Sequence, residues 1–351
     1  MNAARMPRSP VVLIALLLLS GCPLTGEREQ SANDYVRSLS SLLDVEASLS
    51  AIPTVRALPR MRQRRLELPD IEMGMVDFLS LYGCKLQVVV GERTSVLGRV
   101  AHPGTRMDYH LRFVDAARDC LPKIESSGRA EALRRAMETK KASVPEALWN
   151  GIWATSEIQE FFTRTGGTLP PRLRGQAFRE ARAHVERTLG LIRNLREGRL
   201  PEELERMSEV YEHWQSRPLM GQLLRSAEAL ATRLGDASAV IRRHLSSAGA
   251  CSADGGAYRR FFRDRYLDGL AGRLRFVRLQ RRRLVPAFRR LVDAPGAPVP
   301  EAMTPFIRRN LETASPDSVW HELDSAVRDH VAAWNELLRR CDRPRRQLAG
   351  M

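Results

Sequence analysis

Four cysteines constrain the fold of this 351-residue chain more than any other feature. Cys84 and Cys120 are centred on position 102, and Cys251 and Cys341 on position 296. Both midpoints fall inside sharp turns. Gly98, Pro103 and Gly104 punctuate the first, and Asp293-Ala294-Pro295-Gly296-Ala297-Pro298-Val299-Pro300 forms the second. In an antiparallel helical hairpin, residues equidistant from the turn face one another. Of the three pairings open to four cysteines, this symmetry favours Cys84 with Cys120 and Cys251 with Cys341. Each bridge would close a long loop and stabilise by roughly 3 to 5 kcal/mol in the chain-entropy model.

The fifth cysteine, Cys22, has a different chemistry. Before it lie two arginines, Arg5 and Arg8, an apolar run from Val11 to Leu19, and the small residues Ser20 and Gly21. This is the three-part pattern of an export signal, and the run is too short for a bilayer core that needs about 20 helical residues. Leu19-Ser20-Gly21-Cys22 resembles the lipobox of bacterial lipoproteins. The resemblance implies a diacylglyceryl group on the Cys22 thiol, cleavage before it, and acylation of the new amino terminus. Pro23 stands where an Asp would favour the inner membrane, so the expected address is the inner leaflet of the Gram-negative outer membrane, facing the periplasm. That space is oxidising, and the four remaining cysteines can pair there.

Removal of residues 1–21 takes Arg5 and Arg8 and no acid, so the formal charge falls from +15 to +13 over residues 22–351. An export signal turns this basic charge away from nucleic acid. Only four basic residues are lysine (Lys85, Lys123, Lys140, Lys141) and the other 52 are arginine, a ratio typical of GC-rich genomes. The competing meaning is attraction to anionic lipid head groups, at about 1 kcal/mol per basic residue near the surface.

Apolar residues recur at helical spacing almost throughout, and no run alternates with period two for long. The fold class is all-α: an elongated multi-helix bundle of antiparallel hairpins stapled by two disulfides. Residues 22–30 are expected as a lipid-anchored tether and 31–351 as the helical periplasmic domain. Ser31 or Asn33 would cap a first helix bearing Tyr35, Val36, Leu39, Leu42 and Leu43. Pro53, Pro59 and Pro69 mark an extended stretch with Leu66 and Leu68 docked. Helices are expected at about 75–93, with Phe78, Leu79, Tyr82, Leu86 and Val89 on the apolar face, and at 106–121, 129–137 and 145–162. The last carries an aromatic stripe, Trp149, Trp153, Phe161 and Phe162, that reads as core. Gly166-Gly167-Thr168-Leu169-Pro170-Pro171 is the clearest internal break, giving possible subdomains 31–165 and 177–343. Beyond it come helices at 177–196, 201–217 and 218–245, a long helix at 258–292 kinked at Pro286, and helices at 301–313 and 316–340.

Signatures of chemistry are few. No lysine follows a glycine as a Walker loop requires, and there is no Gly-x-Ser-x-Gly elbow and no His-Glu-x-x-His pair. His184, His213, His244, His321 and His330 share no helix face and read as surface or capping residues, so no metal or cofactor is expected. Glu125, Glu157 and Glu160 could each supply a general acid, but their surroundings lack the Glu-Ser and Gly-Leu-Met signatures of helical cell-wall lyases. Arg273, Arg275, Arg278, Arg281, Arg282 and Arg283 form a basic series that reads as a solvated helix face, with phosphate binding as the alternative.

The stretch from Arg65 to Cys84, with Met73-Gly74-Met75-Val76-Asp77-Phe78-Leu79 at its centre, runs on to Glu92-Arg93-Thr94-Ser95-Val96-Leu97-Gly98-Arg99. It resembles the domain of unknown function 3080 family of gammaproteobacterial lipoproteins. That pattern joins a lipobox to an Arg-rich Leu-x-Leu stretch, a Gly-Leu-Leu-Asp-Phe-Leu helix ending at a cysteine, and an Arg-Asn-Ser-x-Leu-Gly turn. Thr94 stands where the pattern has Asn. The resemblance implies a lipoprotein and supplies no activity. Asp77, Arg93 and Ser95 are its polar residues and the candidate binding residues, set against a structural role in the hairpin.

The reading that follows is a non-catalytic interaction or scaffold protein, anchored at Cys22 and meeting an envelope protein, anionic lipid or peptidoglycan. A cell-wall or lipid hydrolase assembled from distant residues, and a carrier of an apolar ligand or lipid, are the alternatives.

Overall fold

The computed structural model describes residues 26–53, 57–69, 81–171, 173, 175–197, 199, 207–247, 250–251 and 255–341. Among them there are helices and no strands. In chain order these are α1 (Gly26–Leu43), α2 (Met61–Arg64), α3 (Lys85–Thr94), α4 (Val96–Arg99), α5 (Pro103–Cys120), α6 (Ser127–Ala142), α7 (Val144–Trp153) and α8 (Ser156–Phe161). Then follow α9 (Gln176–Arg196), α10 (Met207–Ser216), α11 (Leu219–Ser246), α12 (Gly255–Phe261), a π-helical turn at Phe262–Leu270, α13 (Ala271–Asp293), α14 (Thr304–Asn310) and α15 (Val319–Cys341).

The 28-residue α11 is the axis of the molecule. It packs against α1 and α15, and its small buried residues Ala227, Ala237 and Ser238 let those helices approach closely. The main core runs from Ala32 to Cys341 and includes residues on both sides of the Gly166–Pro171 break. Phe162, for instance, lies edge-on to Phe288 and Phe306, at 5.3 Å from each. All five tryptophans are buried. Four of them spend their indole N–H: Trp149 on Arg64 O, Trp153 on Leu291 O, Trp320 on Asn310 O and Trp334 on Tyr35 Oη. The polar end of each of these four rings is thereby satisfied inside the core, whereas Trp214 Nε1 is buried without a hydrogen bond among the described residues.

A second, smaller core belongs to the α3–α5 hairpin and α6, where Leu86, Val90, Phe113, Ala117 and Leu133 surround Cys84 and Cys120. Both disulfides pair as the turn symmetry requires. Cys84 and Cys120 have Cα atoms 5.5 Å apart, and Cys251 and Cys341 4.8 Å apart.

Several boundaries differ from those expected. The first helix starts at Gly26 rather than near Ser31, so residues 26–30 of the expected tether are helical. The expected 75–93 helix is not continuous: residues 81–84 form a turn in which Gly83 takes a left-handed φ of +78°, and α3 begins at Lys85. Tyr82, expected on the apolar face, is therefore turned out and 88% exposed, while residues 70–80, with Phe78 and Leu79, lie outside the described residues. The 145–162 segment divides into α7 and α8 because Thr155 accepts from Ile158 N–H and caps a new helix; its whole aromatic stripe is core. The long 258–292 helix changes type at Phe262–Leu270. Pro286 lies within α13 on its exposed side, where water can serve the carbonyl that loses its partner.

Candidate binding site

The hairpin turn is built by its own polar residues. Ser95 caps α4, accepting from Gly98 N–H at 3.0 Å and donating to Glu92 O at 2.7 Å. Arg93 donates to Gly98 O at 3.1 Å, with its guanidinium 5.9 Å from the Tyr109 ring centre. Thr94 donates to Val90 O within its own helix. A Cβ on Gly98 would fall 2.2 Å from Glu92 O, so only glycine allows the chain to fold back this tightly. Of the three candidate residues, the structure therefore places Arg93 and Ser95 together in one turn. Asp77 and the lipidation residue Cys22 lie outside the described residues.

What this turn displays is apolar. Leu97 is 80% exposed, Val100 76% and Val96 73%, and Tyr82 and Val88 are exposed on the same hairpin. Large apolar side chains exposed this close together along the chain mark candidate interaction surfaces.

Behind the turn lies a mostly apolar cleft of about 180 Å³. Met61 and Leu68 form one wall, Pro103 and Met107 of α5 a second, and Ala147 and Ala154 of α7 and its end a third. Arg65 and Arg106 complete the lining. The 61–68 wall is held rigidly. Arg64, wholly buried, donates to Trp153 O, Thr155 O and Gln159 Oε1. Asn150 makes a two-point bond with the Leu66 backbone, 2.8 Å each way. Burial within the desolvated core draws the Arg64 pKa down to about 10. Arg106, tied through Nε to Ala101 O at 3.0 Å, has its pKa lowered by burial first and then by the like charges of Arg65 and Arg93.

The acids and histidines sort differently from expectation. Glu125 and Glu160 are exposed. Glu157 is opposed by burial, yet hydrogen bonds from its own backbone N–H, His102 (2.9 Å) and Ser156 hold its pKa below the usual value, the reverse of a general acid. The carboxyl raised toward neutrality is Glu228, at about 7, which burial dominates despite its 3.0 Å pair with Arg164. Its Oε2 is buried without a hydrogen bond among the described residues. No local pattern singled it out, since its environment is assembled from Arg164, Arg225 and Arg309. His330 and His244 are buried rather than surface residues, and of the two only His244 caps, at the last carbonyl of α1. His330 is wholly buried, hydrogen-bonded to Tyr35 Oη at 2.7 Å and Ser238 Oγ at 3.2 Å; His244 is bonded to Leu43 O at 2.9 Å. His184 and His213, on α9 and α10, stack with ring centres 4.5 Å apart. Among the described residues no group of three His, Cys, Asp or Glu could hold a metal ion.

The arginine series of α13 is only partly a solvated face. Arg275 and Arg282 are exposed. Arg278 and Arg281 clasp Asp324 of α15 at 2.8 and 2.6 Å, and Arg273 donates to Leu169 O at 2.8 Å. Half the series thus serves as struts between elements that the sequence separates widely.

Fold and site together define a class: an all-α, doubly disulfide-stapled protein whose most distinctive surface is a capped hairpin turn beside an arginine-lined cleft. Residues 32–344 match the model of the family described as protein of unknown function (DUF3080), and the chain belongs to that family. Among curated proteins and among solved structures, nothing matches.

Proposed function

We propose that this is a lipid-anchored envelope protein that works by interaction rather than turnover, held through Cys22 at the periplasmic face of the outer membrane. The observation that carries this reading is the exposed group Tyr82, Val96, Leu97 and Val100 on a hairpin made rigid by a disulfide and a capped turn. A stapled platform keeps its shape while displaying apolar side chains, which lowers the ordering cost of binding. The start of α1 at Gly26 adds to it. Four residues from Cys22 span at most ~14 Å, so a lipid there would hold the helical body against the bilayer surface. No described helix is long and apolar enough to cross a membrane.

The test is photo-crosslinking in intact cells, with the reactive group at Leu97 and the native anchor retained. A discrete adduct with an envelope protein or lipid is expected, together with an acyl mass on the Cys22 peptide that Cys22→Ala abolishes. Release of product from purified peptidoglycan or phospholipid would instead establish the hydrolase reading.

A further inference from the structure

The cleft walled by Met61, Leu68, Pro103 and Met107 has the construction of a ligand site, and nothing in the surface-interaction reading uses it. Its volume of about 180 Å³ is room for roughly six water-sized groups. That is well below the 300 to 1,000 Å³ of pockets that engulf drug-sized ligands. An apolar slot of this size takes a short alkyl segment and no more. Arg65 and Arg106 share the lining with it. The Arg65 side chain is exposed and makes no hydrogen bond or ion pair among the described residues.

We propose that this cleft is a binding site for an anionic amphiphile, its carboxylate or phosphate head gripped by Arg65 beside the positive charge of Arg106, and about six carbons of its alkyl chain seated against Met61, Leu68 and Met107. A guanidinium matches either head group through charge-assisted hydrogen bonds, and a second positive charge nearby adds to the attraction. The walls are set before any ligand arrives. Asn150 spends its amide on the Leu66 backbone, and the buried Arg64 fixes the start of the same strand of chain to α7 and α8. The ligand therefore pays little to order its site. The same chemistry could come from a free medium-chain acid or from the head and first methylenes of a membrane phospholipid.

The experiment is calorimetric titration of the full-length protein in phosphatidylcholine nanodiscs, with empty discs as blank. The probes are octanoate, octyl phosphate and octanol. A parallel arm measures flotation of the protein with vesicles containing phosphatidylglycerol. Two variants test the geometry. Arg65→Ala removes an exposed guanidinium that makes no side-chain hydrogen bond or ion pair among the described residues, and Ala101→Phe fills the cleft from a half-exposed position. Octanoate and octyl phosphate are expected to bind at least tenfold tighter than octanol, with each variant weakening the anions tenfold or more and leaving the melting temperature unchanged. Vesicle binding that depends on the same two positions, without binding of the free anions, would also support the site and assign it to a membrane lipid. Equal binding of octanol and octanoate would overturn the proposal, as would anion or vesicle binding that neither variant alters, or no binding in either arm. Loss of the crosslink at Leu97 with cleft binding intact would overturn the surface reading alone.

Discussion

Tyr35 and His330, 295 residues apart in the chain, share a 2.7 Å hydrogen bond in the centre of the main core. The imidazole is wholly buried and accepts or donates to Tyr35 Oη on one side and Ser238 Oγ on the other, while Trp334 donates to the same Tyr35 oxygen. Burial raises the Tyr35 phenol and, with the charge of Arg242, pushes His330 down to about 3. The pair is a neutral, fully connected polar joint between α1, α11 and α15.

Acid should therefore loosen this core. His330, at about 3, and His110, pushed by burial to about 4, are both depressed from the ordinary 6.5. The unfolded chain takes up these protons first, so their stabilising contribution is present above pH 6.5 and is lost as pH falls toward 4 and 3. Between pH 6.5 and 5 the expected loss is about 2 kcal/mol per histidine. Urea unfolding at the two pH values measures it, and His330→Gln should shrink the difference. A flat profile would show that neither imidazole is buried neutral.

Glu228 has the opposite sign. Its folded pKa of about 7 lies above the ordinary value of 4.5, so what it contributes is fully present below 4.5 and is lost as pH rises through 7. Glu228→Gln should gain stability relative to the parent protein as pH is raised from 5 to 8, by about 1 to 3 kcal/mol. Melting temperatures of both proteins across that range check the trend, and parallel curves would contradict it.

Arg64 carries three bonds into α7 and α8 from a position with no access to water. Arg64→Ala leaves those acceptors buried and unpaired and opens a void, at an expected cost of about 3 to 5 kcal/mol. Chemical denaturation reads the loss. Hydrogen exchange should show it first around Leu66 and Asn150, whose mutual bonds depend on the same wall.

Gly98→Ala must displace the Glu92 carbonyl that its new Cβ would meet at 2.2 Å. The expected cost is about 1 to 3 kcal/mol. Amide exchange should rise across Val96–Val100 while the main core stays protected, because the hairpin has its own cluster of buried side chains. Unchanged exchange at the turn would refute the close packing.

Peptide mapping without reductant should recover Cys84 joined to Cys120 and Cys251 joined to Cys341. Replacing both Cys84 and Cys120 by Ser should destabilise the hairpin before the bundle, whereas losing the Cys251–Cys341 bridge, which closes a loop of 90 residues, should lower global stability by about 4 kcal/mol. A recovered Cys84–Cys251 peptide would contradict the fold.

The features legible in the sequence were those written into local spacing. The all-α class followed from the 3.6-residue period, and the disulfide pairing from cysteines set equally far from two proline-glycine turns. The aromatic stripe of Trp149, Trp153, Phe161 and Phe162 read as core, and is core. Where a single residue overrode the period, the reading slipped: Gly83 set a turn inside the expected helix, with Tyr82 outward, and Thr155 capped a second helix inside what looked like one.

By itself, then, the sequence determined the helical class and the two covalent closures, because each rests on residues whose spacing along the chain is itself the physical cause. Only the tertiary structure decided that His330 would be neutral and buried, that Glu228 rather than Glu157 would carry the raised pKa, and that Arg65 and Arg106 would line one apolar cleft. Desolvation and convergence are properties of packed neighbours. The groups that create them here come from elements dozens to hundreds of residues apart, where no local pattern records their meeting.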